Sequence, residues 1–180
     1  NKTFHDHILS WARVTKNLRI WDYAVTYGIP QGMPLPTTHT FGPDFRFYAT
    51  HNVDGVFTEL EYEILADMRD FKIWCLSKTL ENPEADYEKL TDTFMNGYYG
   101  PAGAAIKQYL RTLEAEAILR KSTCTCWQGS PTQLTYLNLS FITRAQQLFN
   151  DAERVVEGDP VLTRRVRHAR LSLDRATIAA

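Results

Sequence analysis

Two short strand-like stretches, each ending in a carboxylate, constrain the fold of this chain more than any other feature. The first runs through Leu18–Trp21 into Asp22, and the second runs through Val53–Thr58 into Glu59. A helical pattern leads directly into each of them, which is typical of α/β proteins. In parallel α/β folds, functional side chains gather at the carboxyl ends of the strands. The sequence therefore predicts that Asp22 and Glu59 lie together at the mouth of a parallel sheet.

Most of the remaining sequence has the three- and four-residue apolar spacing of amphipathic helices. Between the first strand and the next helix, the segment 28–42 contains three prolines and three glycines, so we expect a long loop there. A loop of this length in a compact domain is usually functional. The predicted helices cover residues 3–15, 43–52, 61–80, 82–96, 101–121, 130–157 and 160 onwards.

Composition limits the class of function. The chain has 180 residues and a net charge of -1, which gives no electrostatic reason to expect nucleic acid or an anionic membrane as a partner. No apolar run reaches the roughly 20 residues that cross a bilayer. The chain has three cysteines and neither a phosphate-binding glycine loop nor a histidine–cysteine cluster. We therefore predict no metal and no cofactor.

Aromatic side chains accompany both carboxylates. Paired acids are what glycoside hydrolysis requires, because one protonates the leaving oxygen while the other acts as nucleophile, base or stabiliser of the transition state. Sugar rings also stack on aromatic faces through their apolar C–H groups. We predict Asp22 and Glu59 as the catalytic candidates. The predicted substrate-binding platform consists of Trp21, Tyr23, Tyr27 and Tyr62.

A structural interpretation of the same acids stays open. Asp22 would cap a helix or pair with Arg19 or Arg46. Glu59 would favour the N-terminus of the helix predicted from Glu61, where negative charge is stabilising. Two such acids with aromatics beside both make the functional and the structural interpretations comparably strong.

Several segments together resemble a known family, the domain of unknown function 4838, part of which is glycoside hydrolase family 163. The resemblance covers most of the chain and is weakest from residue 122 onwards. Its segments are Trp11, Asn17-Leu18-Arg19-Ile20-Trp21-Asp22-Tyr23 with the proline-rich loop, Gly55-Val56-Phe57, Trp74, Leu80-Glu81-Asn82-Pro83 and Gly97-Tyr98-Tyr99-Gly100.

The resemblance implies a (β/α)8 barrel related to hexosaminidase-like and α-glucuronidase-like enzymes. It also implies cleavage of N-acetylglucosamine linkages in N-glycans by an exported bacterial protein. On this basis residues 17–25 and 53–59 would be the seventh and eighth barrel strands. The chain departs from the family at residues 58–62, where many members carry glycine or glutamine, so the role of Glu59 rests on its position.

The predicted fold class is α/β to mainly α. Residues 1–82 are expected to form the C-terminal portion of a TIM-barrel-like glycosidase domain, and residues 83–180 a helical bundle extension. Because six strands would precede Asn1, we expect the chain to be a fragment or processed product, with the missing barrel half as its partner.

The predicted function is therefore part of a glycoside hydrolase-like protein, resembling an endo-β-N-acetylglucosaminidase, that acts on N-acetylglucosamine-containing glycans. The chain alone would be catalytically incomplete, and its expected location is secreted, periplasmic or cell-surface. Two alternatives remain: a non-catalytic carbohydrate-binding module, and a helical interaction module in which both acids are structural.

Overall fold

The computed structural model describes residues 2–28, 31–60, 67–122 and 131–179. These residues form a mainly helical protein with one small parallel sheet, which confirms the mainly α prediction. The helices are α1 Lys2–Trp11, α2 Phe41–Thr50, α3 Arg69–Glu81, α4 Tyr87–Tyr99, α5 Gly103–Leu119, α6 Leu139–Val155 and α7 Pro160–Ala179. The strands are β1 Leu18–Tyr23 and β2 Val53–Glu59, and short 3-10 turns cover Thr38–Thr40, Gly100–Ala102 and Pro131–Gln133.

The two predicted strands pair in parallel, as their helix-first sequence pattern indicates. Leu18 lies opposite Val53, but Arg19 lies opposite Gly55, so β2 carries one extra residue at its start. From there the register is regular up to Tyr23, which lies opposite Glu59. Because successive side chains in a strand point to opposite faces, this register assigns every later residue of the sheet to one face.

One face of the sheet packs on the core and the other is open. Ile20 is 9% exposed and belongs to the core with Ile8 and Phe45. On the opposite face Trp21 and Phe57 remain 62% and 57% exposed, although their rings touch edge to face with centroids 5.0 Å apart. Parallel sheets normally have both faces covered, so this open aromatic face is unusual.

A single hydrophobic core runs through α3 to α7 and under the sheet. The phenyl ring of Phe71 in α3 lies 5.3 Å from that of Phe94 in α4, and Tyr109 in α5 lies 4.9 Å from Phe149 in α6, measured between ring centroids. The core is therefore continuous across the boundary between residues 82 and 83.

Polar contacts fix the proline-rich segment to later parts of the chain. The Tyr136 hydroxyl donates to the Pro34 carbonyl at 2.7 Å. The buried Asp67 carboxylate accepts from the Leu35 amide at 2.9 Å and from the Ser172 hydroxyl at 2.8 Å. Distant parts of the sequence thereby hold one another in place.

Three helix starts lie well after the position that the sequence predicts. The helix predicted over 82–96 begins at Tyr87, where the Asp86 carboxylate caps it by accepting from two backbone amides, while Asn82 follows the end of α3. The helix predicted over 61–80 begins at Arg69, while residues 61–66 lie outside the described residues. The helix expected from Ser130 begins instead at Leu139, because the Asn138 side chain caps it by accepting the Phe141 amide at 3.0 Å. The segment before it forms a 3-10 turn and an irregular stretch containing the buried Leu134 and Tyr136.

Candidate functional site

Glu59 is held at the end of β2 by two aromatic donors. The Trp21 indole N–H donates to its Oε1 at 2.7 Å. The Tyr27 hydroxyl donates to its Oε2. One neutral donor on each oxygen fixes the carboxylate in orientation. The structure therefore brings together three of the side chains that the sequence singled out.

Tyr23 completes this group on the open face of the sheet. It lies opposite Glu59 in the ladder, and its ring meets that of Tyr27 edge to face with centroids 6.2 Å apart. Phe57 joins the same face two residues before Glu59. We call Trp21, Tyr23, Tyr27, Phe57 and Glu59 the Glu59 face.

Asp22 lies on the other side of the sheet. Its partner in the ladder is Thr58, one residue before Glu59, so Asp22 and Glu59 point to opposite faces. Asp22 instead faces Asp44 and Tyr48 of α2 across a cleft beneath the sheet. The two acids expected to share one substrate therefore belong to separate sites.

The surroundings of Asp22 raise its pKa. Burial is the main cause, and the negative charge of Asp44 adds to it, while the Tyr23 backbone amide lowers the pKa. Burial also raises the pKa of Asp44, whereas a hydrogen bond from Thr40 and the charges of the N-terminus and of His39 lower it, in that order. The Tyr48 pKa is raised by burial and by the charges of Asp22 and Asp44, in that order. These three groups therefore share one electrostatic environment.

The structural roles weighed from the sequence are absent for Asp22. Arg19 pairs with Asp54, its Nε lying 3.5 Å from Oδ1. The Arg46 guanidinium donates to the Pro83 carbonyl at 2.9 Å. Across the part of the chain that the structure describes, no cation forms an ion pair with Asp22.

Two residues expected near the site lie outside the described residues, and two residues found there were not predicted from the sequence. Tyr62 and Glu61 lie in the segment 61–66, outside the described residues. Sequence reasoning overlooked Phe57 and Asp44. Strand alternation would have indicated Phe57, since it stands two residues before Glu59 and thus on the same face. No local signal indicated Asp44, because a helix residue joins Asp22 only through tertiary packing.

Three further observations concern metal ions, membrane spans and the buried cysteine. Among the described ranges, no group of three or more histidine, cysteine, aspartate or glutamate side chains is arranged to hold a metal ion. None of the described helices is long and apolar enough to span a membrane. Cys75 is fully buried, and burial raises the pKa of its thiol to about 12, which agrees with an unreactive core cysteine.

The fold and site define a mainly helical protein with a short parallel sheet that presents a carboxylate among aromatic rings. The profile of the family described as "Domain of unknown function (DUF4838)" matches residues 1–111, and the chain belongs to this family. The match includes both strands and the helices up to the first half of α5. No curated protein matches the chain, and neither does any solved structure.

Proposed function

We propose that this chain is part of a carbohydrate-active, glycoside hydrolase-like protein that acts on N-acetylglucosamine-containing glycans through the Glu59 face. The observation that carries the proposal is the anchoring of both Glu59 oxygens, by Trp21 Nε1 and the Tyr27 hydroxyl, beside exposed aromatic rings. A fixed carboxylate accepts hydrogen bonds from sugar hydroxyls. The rings of Trp21 and Phe57 offer apolar area for the C–H face of a sugar.

The hydrogen bonds that Glu59 accepts from Trp21 and Tyr27 indicate which catalytic roles its carboxylate could take. Because both oxygens accept hydrogen bonds, the group suits the roles of nucleophile, base or stabiliser of positive charge better than that of proton donor. Trp21 and Tyr27 would be positioning residues that hold the carboxylate. The role of general acid then falls to another group.

A two-carboxylate mechanism needs a second acid on the same face as Glu59. Asp22 points to the opposite face, so this acid would come from outside the described residues, where Glu61 and Glu63 also lie. The sheet has two strands in the described part of the chain and one uncovered aromatic face. Parallel sheets are rarely uncovered, which supports the proposal that a further barrel portion completes both the sheet and the site.

The same proposal has three further parts. The chain is related to glycoside hydrolase family 163, it is part of a (β/α)8 barrel, and the protein is exported from a bacterial cell. The second candidate is a non-catalytic carbohydrate-binding module. The separation of Asp22 from Glu59 favours this second candidate, because a single anchored carboxylate suffices for binding.

The experiment is a titration of the 180-residue chain with an N-acetylglucosamine oligosaccharide, followed by tryptophan fluorescence and NMR. We expect Glu59→Gln to weaken binding about tenfold, since hydrogen bonds to a charged acceptor are worth more than those to a neutral one. Tyr27→Phe, which removes one anchor, should weaken binding by less. Asp54→Asn is the matched control, an exposed β2 acid that should leave binding unchanged.

Equal binding by the Glu59→Gln and Asp54→Asn variants, or no binding by the unmodified chain, would contradict the proposal. The enzyme and the binding module can be distinguished in a longer protein that shows turnover. There an enzyme loses turnover with Glu59→Gln, whereas a binding module shows a change in affinity alone.

A further inference from the structure

A polar cleft lies beneath the sheet, on the face opposite Glu59. Its volume is about 610 Å³, and its walls are formed by α1, the end of β1, the segment leading into α2 and α2 itself. The Glu59 face contributes only Tyr23, at its edge. The polar residues that the argument uses are Lys2, Asp22, Thr37, Asp44 and Tyr48.

Two carboxylates face this cleft. The charges of the N-terminus and of His39 lower the pKa of Asp44, whereas no positive charge is among the causes that set the pKa of Asp22. No ion pair joins Asp22 or Asp44 to a cation in the described part of the chain. Lys2 lies at the cleft, yet it forms no ion pair with either acid. Burial and mutual repulsion both disfavour the charged forms, which raises the pKa of Asp22. A cation placed between the acids would relieve both effects.

An unsatisfied hydroxyl group lines the same cleft. The Thr37 Oγ1 is buried and has no hydrogen-bond partner among the described residues. Buried hydroxyl groups are normally hydrogen-bonded, so an orphaned one beside a cavity points to a missing partner. An ammonium group has three N–H donors and no acceptor. Asp22, Asp44 and Thr37 supply three acceptors in the one cleft.

Aromatic side chains form much of the remaining wall. Phe4, Phe41 and Tyr48 line the cleft, and His5 stacks on Phe47 with ring centroids 3.9 Å apart. Aromatic faces attract cations and also pack against apolar parts of a ligand. The wall therefore suits an ammonium group carried on a ring or a short carbon skeleton.

We propose that this cleft binds a ligand that carries a primary ammonium group on a small body of about the size of a sugar ring. The site is distinct from the Glu59 face and does not rest on the function proposed for it. Asp22 and Asp44 neutralise the ammonium charge, Thr37 accepts one of its hydrogen bonds, and the aromatic wall packs against the ligand body.

The test compares three sugars of similar shape, glucosamine, glucose and N-acetylglucosamine, by NMR titration at a pH at which the amine is protonated. Only glucosamine carries a positive charge, so we expect it to bind at least about tenfold more tightly than either neutral sugar. The shifted resonances should belong to residues of the cleft, such as Phe41 and Tyr48.

Variants identify the acceptors. Asp22→Asn should weaken glucosamine binding about tenfold, and the nearly isosteric Thr37→Val should weaken it by a smaller factor without changing charge. Asp54→Asn serves as the control, because this exposed acid pairs with exposed Arg19 on β1. Glu59→Gln should leave glucosamine binding to the cleft unchanged, which separates this proposal from the one for the Glu59 face.

Three results would overturn the proposal. They are equal affinity for glucosamine and glucose, glucosamine binding that survives Asp22→Asn, and absence of binding by the unmodified chain at about 10 mM glucosamine. If Asp22→Asn does not fold, Thr37→Val and the comparison of the three sugars on the unmodified chain still decide the question.

Discussion

Asp67 and Lys72 form an ion pair inside the helical core. Their side chains are 1% and 3% exposed, and Lys72 Nζ lies 3.1 Å from Asp67 Oδ2. The ammonium group makes no hydrogen bond of good geometry in the described part of the chain, so charge attraction to Asp67 compensates its burial. The same carboxylate accepts hydrogen bonds from Leu35 and Ser172. One buried acid therefore links the proline-rich segment, α3 and α7.

Asp67→Asn should lower the free energy of unfolding by about 3 kcal/mol or more, because it leaves the Lys72 charge buried without a counter-ion. Urea denaturation measures this. The control is Glu81→Gln, which removes an exposed ion pair with Lys78 and should change stability by about 0.5 kcal/mol or less. Similar effects of the two variants would show that the buried ion pair contributes no more to stability than the exposed one.

The contact between α4 and α5 requires a residue without a side chain. A Cβ atom on Gly103 would lie 2.4 Å from the Met95 carbonyl oxygen and 2.7 Å from its carbon. Both are backbone atoms, so the helices cannot relieve the clash by changing a rotamer. A Cβ atom on Gly97, which lies on the exposed surface of α4, would have no other atom within 4 Å. These two glycines thus have different roles.

Gly103→Ala should destabilise the protein by about 1–3 kcal/mol, the usual effect of overpacking, because the two helices must separate. Gly97→Ala should instead stabilise it by about 0.5–1 kcal/mol, since alanine restricts the unfolded chain and favours a helix. Thermal and urea unfolding of the two variants test whether the changes in stability have opposite signs. Destabilisation by both would mean that helix geometry at Gly97, rather than clearance, controls the result.

The start of α6 shows how tertiary contacts choose between helix signals. Ser130-Pro131 and Asn138 are both acceptable helix starts by sequence. Asn138 is the one used, since the stretch before it carries Tyr136, which is completely buried and donates to the Pro34 carbonyl. A helix from residue 130 would not present Tyr136 to that distant partner in the same way. Local pattern alone could not make this choice.

At the scale of the whole molecule, residues 1–82 and 83–180 share one core. Phe71 packs on Phe94, Ser172 donates to Asp67, and Tyr136 donates to Pro34, so each segment buries side chains of the other. We therefore expect a single cooperative unfolding transition. The match of the DUF4838 profile to residues 1–111 also crosses the boundary between the two segments.

Coincidence of two spectroscopic transitions tests this cooperativity. In a Trp127→Phe background the remaining tryptophans, Trp11, Trp21 and Trp74, all lie in residues 1–82. Far-UV circular dichroism mainly reports the helices after residue 82. Fluorescence and circular dichroism should give the same urea midpoint. Two separate midpoints would show that the segments unfold as independent units.

The sequence by itself determined the helical character, the two strands with their parallel pairing, and the aromatic surroundings of Glu59. These features depend on local periodicity and on residue type, which neighbouring residues in the chain fix directly. The inert core position of Cys75 also followed from its apolar helical surroundings.

Only the tertiary structure decided which acids share a site. The extra residue of β2 near Asp54 shifts the register by one, so Tyr23 rather than Ala24 lies opposite Glu59. Without this shift, Asp22 and Glu59 would point to the same face, since a one-residue slip exchanges the faces of a strand. Strand register depends on packing across the sheet and is not encoded in the pattern of either strand alone. For this reason the sequence identified both carboxylates, and the structure assigned them to different sites.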